Sequence, residues 1–115
     1  MTRDKHGRLT RTTFNYGNAQ VTLVFEDDTL ARVIDLYSEH RGRGEATAVM
    51  AEATSFADKH GIALWLEAKR YGNPRGSMDN LQLVNFYQRF GFDIAQGSPQ
   101  PYIMTREPLL KGDAS

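Results

Sequence analysis

The segment Tyr37-Ser-Glu-His-Arg-Gly-Arg-Gly-Glu-Ala46 joins an apolar run, residues 33–36, to a helical pattern that continues to about Lys59. A glycine-rich turn between a strand and a helix leaves the first backbone N–H groups of the helix without partners in the helix. These groups point the same way, at the positive end of the helix dipole. The segment therefore predicts an anion site, and phosphate is the usual anion at such a site.

Arg41, Gly44 and Ala46 give this segment the pattern Arg-x-x-Gly-x-Ala. Glycine lets the backbone approach a pyrophosphate closely, and Arg41 and Arg43 add positive charge. The pattern is neither a Walker P-loop, which needs Gly-Lys-Ser/Thr, nor the Gly-x-Gly-x-x-Gly of dinucleotide-binding proteins. By itself it is equally compatible with a basic turn that precedes a helix and binds nothing.

The composition restricts the class of protein. The 115 residues are enough for one domain, and 40% hydrophobic with 24% charged residues indicate a folded globule. The formal net charge is zero, which argues against nucleic-acid or membrane binding driven by overall charge. The chain has no cysteine, which excludes a disulfide scaffold, a cysteine-ligated metal and a cysteine nucleophile.

Targeting signals and metal ligands are not evident in the sequence. The first residues lack the apolar core of a signal peptide, and no apolar run approaches the roughly 18 residues of a membrane span. We therefore expect a cytoplasmic protein that does not enter a membrane. The three histidines, His6, His40 and His60, are too scattered to suggest a metal site.

Turn signals divide the chain into eight elements in the order β-β-β-α-β-α-β-β. Strands are predicted at residues 9–16, 20–26 and 30–37, the third of them apolar on both faces and therefore central. An amphipathic helix follows and ends at Gly61, and a strand at residues 62–68 should lie parallel to the third strand through a right-handed crossover. After a loop at residues 69–78, a second helix is predicted from Asp79 to about Phe90. Two further strands are predicted at residues 92–94 and 102–107.

This order predicts one α+β domain over residues 1–115, with a mixed and mostly antiparallel central sheet. Residues 1–8 and 108–115 are expected to be flexible tails.

A second pattern lies in the second helix. Asn80 is followed seven residues later by Tyr87, and the helix closes on Gly91 and Phe92. This pattern, together with Arg-x-x-Gly-x-Ala in the preceding strand–turn–helix, resembles the GNAT family of N-acetyltransferases. The resemblance covers residues 30–92, and residues 102–107 are similar to the last strand of that family. The chain is identified on this basis as a compact member of the family.

The resemblance implies an acetyl-CoA site. It assigns the pyrophosphate of CoA to the backbone N–H groups of six residues: Arg41, Gly42, Arg43, Gly44, Glu45 and Ala46. The backbone of Leu36 and Tyr37 would pair with the pantetheine like an extra strand, between two strands that splay apart. Asn80 would contact the pantetheine or fix the adjacent loop, and Tyr87 would lie near the CoA sulfur.

Amide formation needs a neutral amine, donors for the oxyanion and a proton for the leaving thiolate. A tyrosine hydroxyl is a suitable donor to a thiolate, so Tyr87 is the candidate general acid; the alternative is a core aromatic residue of an amphipathic helix. Glu67 is the candidate base, with Asp35 as a second carboxylate and water as a further alternative. His40 lies next to the turn and more plausibly assists anion binding than proton transfer.

The chain differs from typical family members in one respect. Such members have two helices between their first two strands, covering the acceptor side, whereas here only Gly17-Asn18 separates the two. We expect an open acceptor side, or one completed by another subunit as in a homodimer. An open side suits a protein or other macromolecule better than a small amine, and compact chains of this kind are similar to some that phages use to modify host proteins.

The predicted function is an acyl-CoA N-acyltransferase that moves an acetyl group from acetyl-CoA to an amine, such as a lysine of a macromolecule, by direct transfer in a ternary complex. The alternative is a non-catalytic module of the same fold that binds CoA or a protein partner. A nucleic-acid-binding domain is disfavoured by the neutral charge and the lack of an RNA-binding motif.

Overall fold

The computed structural model describes residues 2–7, 9–38, 44–68, 80–99 and 101–109. It contains a seven-stranded sheet and two helices. In chain order the elements are β1 (Thr2–Arg3), β2 (Leu9–Tyr16), β3 (Ala19–Asp27), β4 (Leu30–Ser38), α1 (Glu45–His60), β5 (Ala63–Glu67), α2 (Asn80–Gln88), β6 (Asp93–Ile94) and β7 (Ile103–Arg106).

The sheet has the strand order β1-β2-β3-β4-β5-β7-β6. All neighbouring strands are antiparallel except β4 and β5, which are parallel and joined through α1. This confirms the predicted α+β class, the mixed sheet and the single crossover. The strand β1 is absent from the predicted order, which treated residues 1–8 as a flexible tail. Two residues are too few to give a periodic signal, and β1 exists only because it pairs with β2.

Helix α1 begins and ends at glycines in the left-handed conformation. Gly44 precedes it with φ 73°, and Gly61 follows it with φ 66°. At the end of the helix the N–H of Ile62 donates to the carbonyl of Ala57 at 2.8 Å, so the chain turns directly into β5. The predicted helix end at Gly61 is confirmed.

One face of the sheet, the inner face, carries the core. Its side chains pack against the buried stripe of α1 and against α2 residues in a single hydrophobic cluster. The largest side chains of this cluster with less than 2% exposure are Phe92, Leu23, Met50, Leu64, Leu66 and Met104.

The opposite face, here called the outer face, is defined by the alternate strand positions. On β5 and β7 the buried Leu64, Leu66 and Met104 alternate with half-buried or exposed neighbours, among them Trp65 and Glu67. Phe56 of α1 contacts Phe14 and Phe25, which belong to the inner face. Within the described part of the chain, therefore, α1 covers the inner face only.

The end of β7 and the residues that follow it contact α1 and the segment after α2. Arg106, 5% exposed, donates from Nε to the carbonyl of Phe90 at 2.6 Å and forms two hydrogen bonds of 2.8 and 2.9 Å with Asp58. Because the same guanidinium contacts α1 and the residue after α2, the ends of both helices lie on the inner face. Asp58 also accepts the N–H of Leu109 at 2.8 Å. Residues 110–115 of the predicted tail lie outside the described residues.

None of the described helices is long and apolar enough to cross a membrane.

Candidate functional site

The parallel strands β4 and β5 separate before either one ends. Their pairing covers Leu30 with Ala63, Ala31 with Leu64 and Arg32 with Trp65, and goes no further. Strand β4 continues to Ser38 and β5 to Glu67. The carboxyl ends of these two strands therefore border an opening in the middle of the sheet, as the resemblance implied. Open sheets commonly bind ligands at such a position.

A bulge in β4 accompanies the opening. Gln20 of β3 pairs with Tyr37 and Thr22 with Ile34, so two residues of β4 stand opposite the single residue between them. One of the two is Asp35, the one described residue other than glycine with positive φ, at 53°. The bulge reverses the alternation of β4, which turns the half-buried Leu36 toward the core and leaves Tyr37 57% exposed.

The N-terminus of α1 lies at the same edge of the sheet. Glu45, the first residue of the helix, accepts the N–H of Asn18 in the turn between β2 and β3 at 3.3 Å. The next residue, Ala19, pairs with Ser38 at the end of β4. The helix start is thus held beside the strand end that borders the opening.

The first turn of α1 has free backbone donors. The carbonyl of Gly44 accepts the N–H of Ala48 at 2.9 Å, which is the first hydrogen bond of the helix. The N–H groups of Glu45, Ala46 and Thr47 precede that bond and have no partner within the helix. Gly44 has no side chain to cap them, and none of the described residues other than its chain neighbours has an atom within 4 Å of the position that a Cβ would occupy there. These donors lie at the positive end of the helix dipole, which favours an anion.

Tyr87 packs between two aromatic rings. It is 7% exposed and packs edge-to-face against Phe86 and Phe92, with ring centroids 5.4 and 5.8 Å apart. Its carbonyl accepts the N–H groups of Phe90 and Phe92. Packing on both sides fixes the ring, so the hydroxyl has a defined position in the fold.

The two carboxylates considered as bases differ in setting. Glu67 is half-buried at the end of β5, on the outer face and beside the opening. Asp35 is exposed on the bulge. Both carboxylates lie beyond the last pair of β4 and β5, and they differ in that Glu67 is half-buried whereas Asp35 is exposed.

A cluster that sequence reasoning missed lies on the outer face where the opening begins. The guanidinium of Arg32 stands over the ring of Trp65 at 4.8 Å, and the Trp65 Nε1–H donates to Glu26 at 2.8 Å. The Nε of Arg32 is buried and has no hydrogen-bond partner among the described residues. The only signal in the sequence was an arginine within an apolar strand and the single tryptophan of the chain.

Several predicted site residues cannot be placed. Arg41, Gly42 and Arg43, with the rest of residues 39–43, lie outside the described residues, as does the loop at residues 69–78. Asn80 begins α2, but its side chain is not described. In the described part of the chain, no group of three or more histidine and acidic side chains could hold a metal ion.

Comparison with solved structures identifies the architecture. The anti-CRISPR protein AcrVA5 superposes with a TM-score of 0.69 at 13% identity, over 84% of this chain and 98% of that one. Ard1 from Thermoplasma volcanium gives 0.58 at 22% identity, over 79% of this chain and 63% of that one. The GNAT family N-acetyltransferase YhbS from Escherichia coli, in complex with CoA, gives 0.50 at 19% identity, over 97% and 58%.

The chain has the GNAT fold. The fold implied by Arg-x-x-Gly-x-Ala and the pattern from Asn80 to Phe92 is thereby confirmed. No protein-family model matches the sequence, and no curated protein matches it by sequence. The chain spans less than two thirds of Ard1 and YhbS and nearly all of AcrVA5.

Proposed function

We propose that this protein is an N-acetyltransferase that transfers the acetyl group of acetyl-CoA directly to an amine in a ternary complex. The observation that carries the proposal is the separation of β4 and β5 beyond Arg32 and Trp65, with the open N-terminus of α1 at the same edge. CoA is an extended ligand that has a pyrophosphate and, next to it, the amide-containing pantetheine arm. The start of α1 suits the pyrophosphate, and the unpaired edge of β4 suits the arm.

The start of α1 fits the pyrophosphate. The N–H groups of the first turn have no side-chain cap, because the N-cap residue is Gly44, and they lie at the positive end of the helix dipole. Both features favour a multiply charged oxyanion. Arg41 and Arg43 would add charge from the preceding turn, as would the backbone N–H groups of residues 41–46.

The unpaired edge of β4 fits the pantetheine. Beyond Arg32, β4 still pairs with β3 on one side, and its other side faces the opening. The backbone of Leu36 and Tyr37 can there bond the amides of the arm as it would bond a further strand. Asn80, at the start of α2, would contact the arm or fix the adjacent loop.

Residues of the chain assist the transfer of the acetyl group from the thioester to the amine. The thioester supplies an activated acetyl group; the amine nitrogen bonds to its carbonyl carbon, the carbon–sulfur bond breaks, and the nitrogen loses a proton. Tyr87 donates a proton to the departing thiolate, and Glu67 or a water molecule takes the proton of the amine. A backbone N–H at the β4 bulge is a suitable donor to the oxyanion.

The acceptor that suits this site is an amine on a macromolecule, such as a lysine of a protein. The two-residue turn Gly17–Asn18 joins β2 and β3, at the position where the family resemblance implies two covering helices. Among the described residues no helix covers the outer face, which leaves space for a large acceptor. The structurally similar AcrVA5 is an anti-CRISPR protein, which is consistent with a macromolecular target.

Binding and transfer should be measured separately. We expect CoA and acetyl-CoA to raise the thermal unfolding temperature, and radiolabelled acetyl-CoA to label protein bands in a lysate only when the enzyme is present. Absence of any stabilisation by CoA would refute the acetyl-CoA site. Heat-denatured enzyme is the control for non-enzymatic acetylation.

The alternative is a non-catalytic module of the same fold, favoured by the lack of a described helix on the acceptor side. Stabilisation by CoA, without transfer to any lysate protein or hydrolysis of acetyl-CoA, would support the module and contradict the enzyme.

A further inference from the structure

We propose that Glu45 is a positioning residue, whose side chain links the β2–β3 turn to the start of α1 and so sets where the pyrophosphate site stands relative to the opening. This inference rests on the proposed function. It concerns the side chain of Glu45, whereas the resemblance assigned only the backbone of this residue to the ligand.

The contact involves the side chain of Glu45 and both residues of the β2–β3 turn. Glu45 Oε2 accepts the N–H of Asn18 at 3.3 Å. Gly17 has φ 58°, and a Cβ on it would overlap Oε2 and lie 2.7 Å from the Cδ of Glu45. A side chain at residue 17 would therefore displace the flexible carboxylate of Glu45 from the turn. Glycine also suits the positive φ of this position.

The direction of the carboxylate has a consequence for the anion site. An acidic residue in the first turn of a helix is attracted by the dipole and can bond the free N–H groups itself. Glu45 instead bonds the turn, which leaves the donors of Glu45, Ala46 and Thr47 free for a ligand. Its Oε1 is buried and has no hydrogen-bond partner in the described part of the chain.

The contact also fixes the start of α1 relative to the end of β4. Asn18 precedes Ala19, which pairs with Ser38 at the end of β4. Fixing α1 to this turn fixes the helix start relative to the strand end where the pantetheine is proposed to bind. One ligand must reach both places, so a shift of the helix start weakens its binding without unfolding the sheet.

Two substitutions of Glu45 separate position from charge. Glu45→Gln and Glu45→Ala both remove the negative charge, but only glutamine keeps an oxygen that accepts the Asn18 N–H. We expect the Kd for CoA, measured by calorimetry, to be roughly five- to tenfold weaker in Glu45→Ala than in Glu45→Gln. Glu52→Ala, which removes an exposed glutamate from the same helix, is the control for a general effect on α1.

Gly17→Ala tests the contact from the turn. We expect it to weaken CoA binding several-fold in the natural background and to add little in the Glu45→Ala background, because the overlapping carboxylate is then absent. Gly97→Ala is the matched control: Gly97 also has positive φ, 77°, but nothing lies within 4 Å of its added Cβ. It reports the cost of the backbone conformation alone.

The outcomes are distinct from those for the proposed function. If the natural protein does not bind CoA, both proposals fail. If it binds CoA and the two Glu45 variants bind it equally, the positioning role is wrong while the acetyl-CoA site stands. Urea unfolding of the same variants completes the test: a loss of stability with equal CoA affinity would make the contact purely structural and would overturn the proposal.

Discussion

At the scale of single residues, Asp35 shows how one backbone conformation shapes the site. Its φ of 53° places it in the left-handed region, which costs energy for residues other than glycine. Aspartate tolerates this region better than most residues. The strand accommodates an extra residue at this point, and the bulge lies in the part of β4 that no longer pairs with β5.

Tyr87 carries the first prediction at this scale. Tyr87→Phe removes the proposed acid and keeps the ring that packs against Phe86 and Phe92. We expect turnover to fall by about 10²- to 10⁴-fold, the usual contribution of a general acid, with little change in the Kd for CoA. Steady-state kinetics with the identified acceptor and calorimetry with CoA check the two parts.

Tyr16→Phe is the control for that substitution, since Tyr16 is 50% exposed on β2 and belongs to no proposed site. Unchanged turnover in Tyr87→Phe would remove the acid role from this residue.

At the scale of elements, one guanidinium joins α1, the end of α2 and β7. Arg106 bonds Asp58 through two nitrogens and the carbonyl of Phe90 through a third. A buried ion pair of this kind contributes less than its contacts suggest, because both charges lose water. Removing one partner is nevertheless costly, since the other charge remains buried.

Asp58→Asn should therefore lower the free energy of unfolding by about 1.5 to 3 kcal/mol, less than for a fully buried pair because the Asp58 side chain is 25% exposed. Urea denaturation measures the change. Glu52→Gln, which removes an exposed carboxylate from the same helix, should change it by less than about 0.5 kcal/mol.

The same carboxylate sets a pH dependence. Burial acts to raise the pKa of Asp58, but the hydrogen bonds from Arg106 and Leu109 and the charge of Arg106 outweigh it, so the pKa lies below its ordinary value of 3.8. A lowered pKa in the folded state stabilises the protein above the ordinary pKa, and this stability is lost as the pH falls toward the folded value.

The natural protein should therefore lose more stability below pH 4 than Asp58→Asn does. Equal slopes would contradict the assignment. Asp27, whose pKa is lowered chiefly by the backbone N–H of Thr29, contributes equally to both proteins.

At the scale of the whole molecule, the described chain forms two layers, a sheet with α1 packed on its inner face. The core residues of both helices and of the sheet belong to one cluster. A single core predicts unfolding in one cooperative step.

Trp65 makes this prediction measurable, because it is the only tryptophan and lies on β5 in the middle of the sheet. We expect its fluorescence and the far-UV circular dichroism to report the same midpoint in urea. Separate midpoints would show that a part of the molecule, such as the region around α2, unfolds independently of the central sheet.

Local sequence patterns predicted the order of the elements from β2 to β7 and carried the two signatures of the GNAT fold. Periodicity of apolar residues gave α1, and glycines marked both of its ends, since Gly44 and Gly61 hold conformations that other residues avoid. The parallel pairing of β4 with β5 followed from the rule that such crossovers are right-handed and place the two strands in one sheet. The element order and the ends of α1 depend on residues close together in the chain, whereas the pairing of β4 with β5 follows from a general rule of chain topology.

The contacts between residues far apart in the chain are visible only in the folded structure. The link from Glu45 to Asn18, the stacking of Arg32 on Trp65 and the bonds of Arg106 to Asp58 join residues 27, 33 and 48 positions apart. No local pattern encodes such contacts, because they depend on strand register and on the direction in which each helix is laid across the sheet. The same holds for β1, which is too short to form alone, and for the point at which β4 and β5 part, three residues before the bulged Asp35, because strand register is set by the whole sheet.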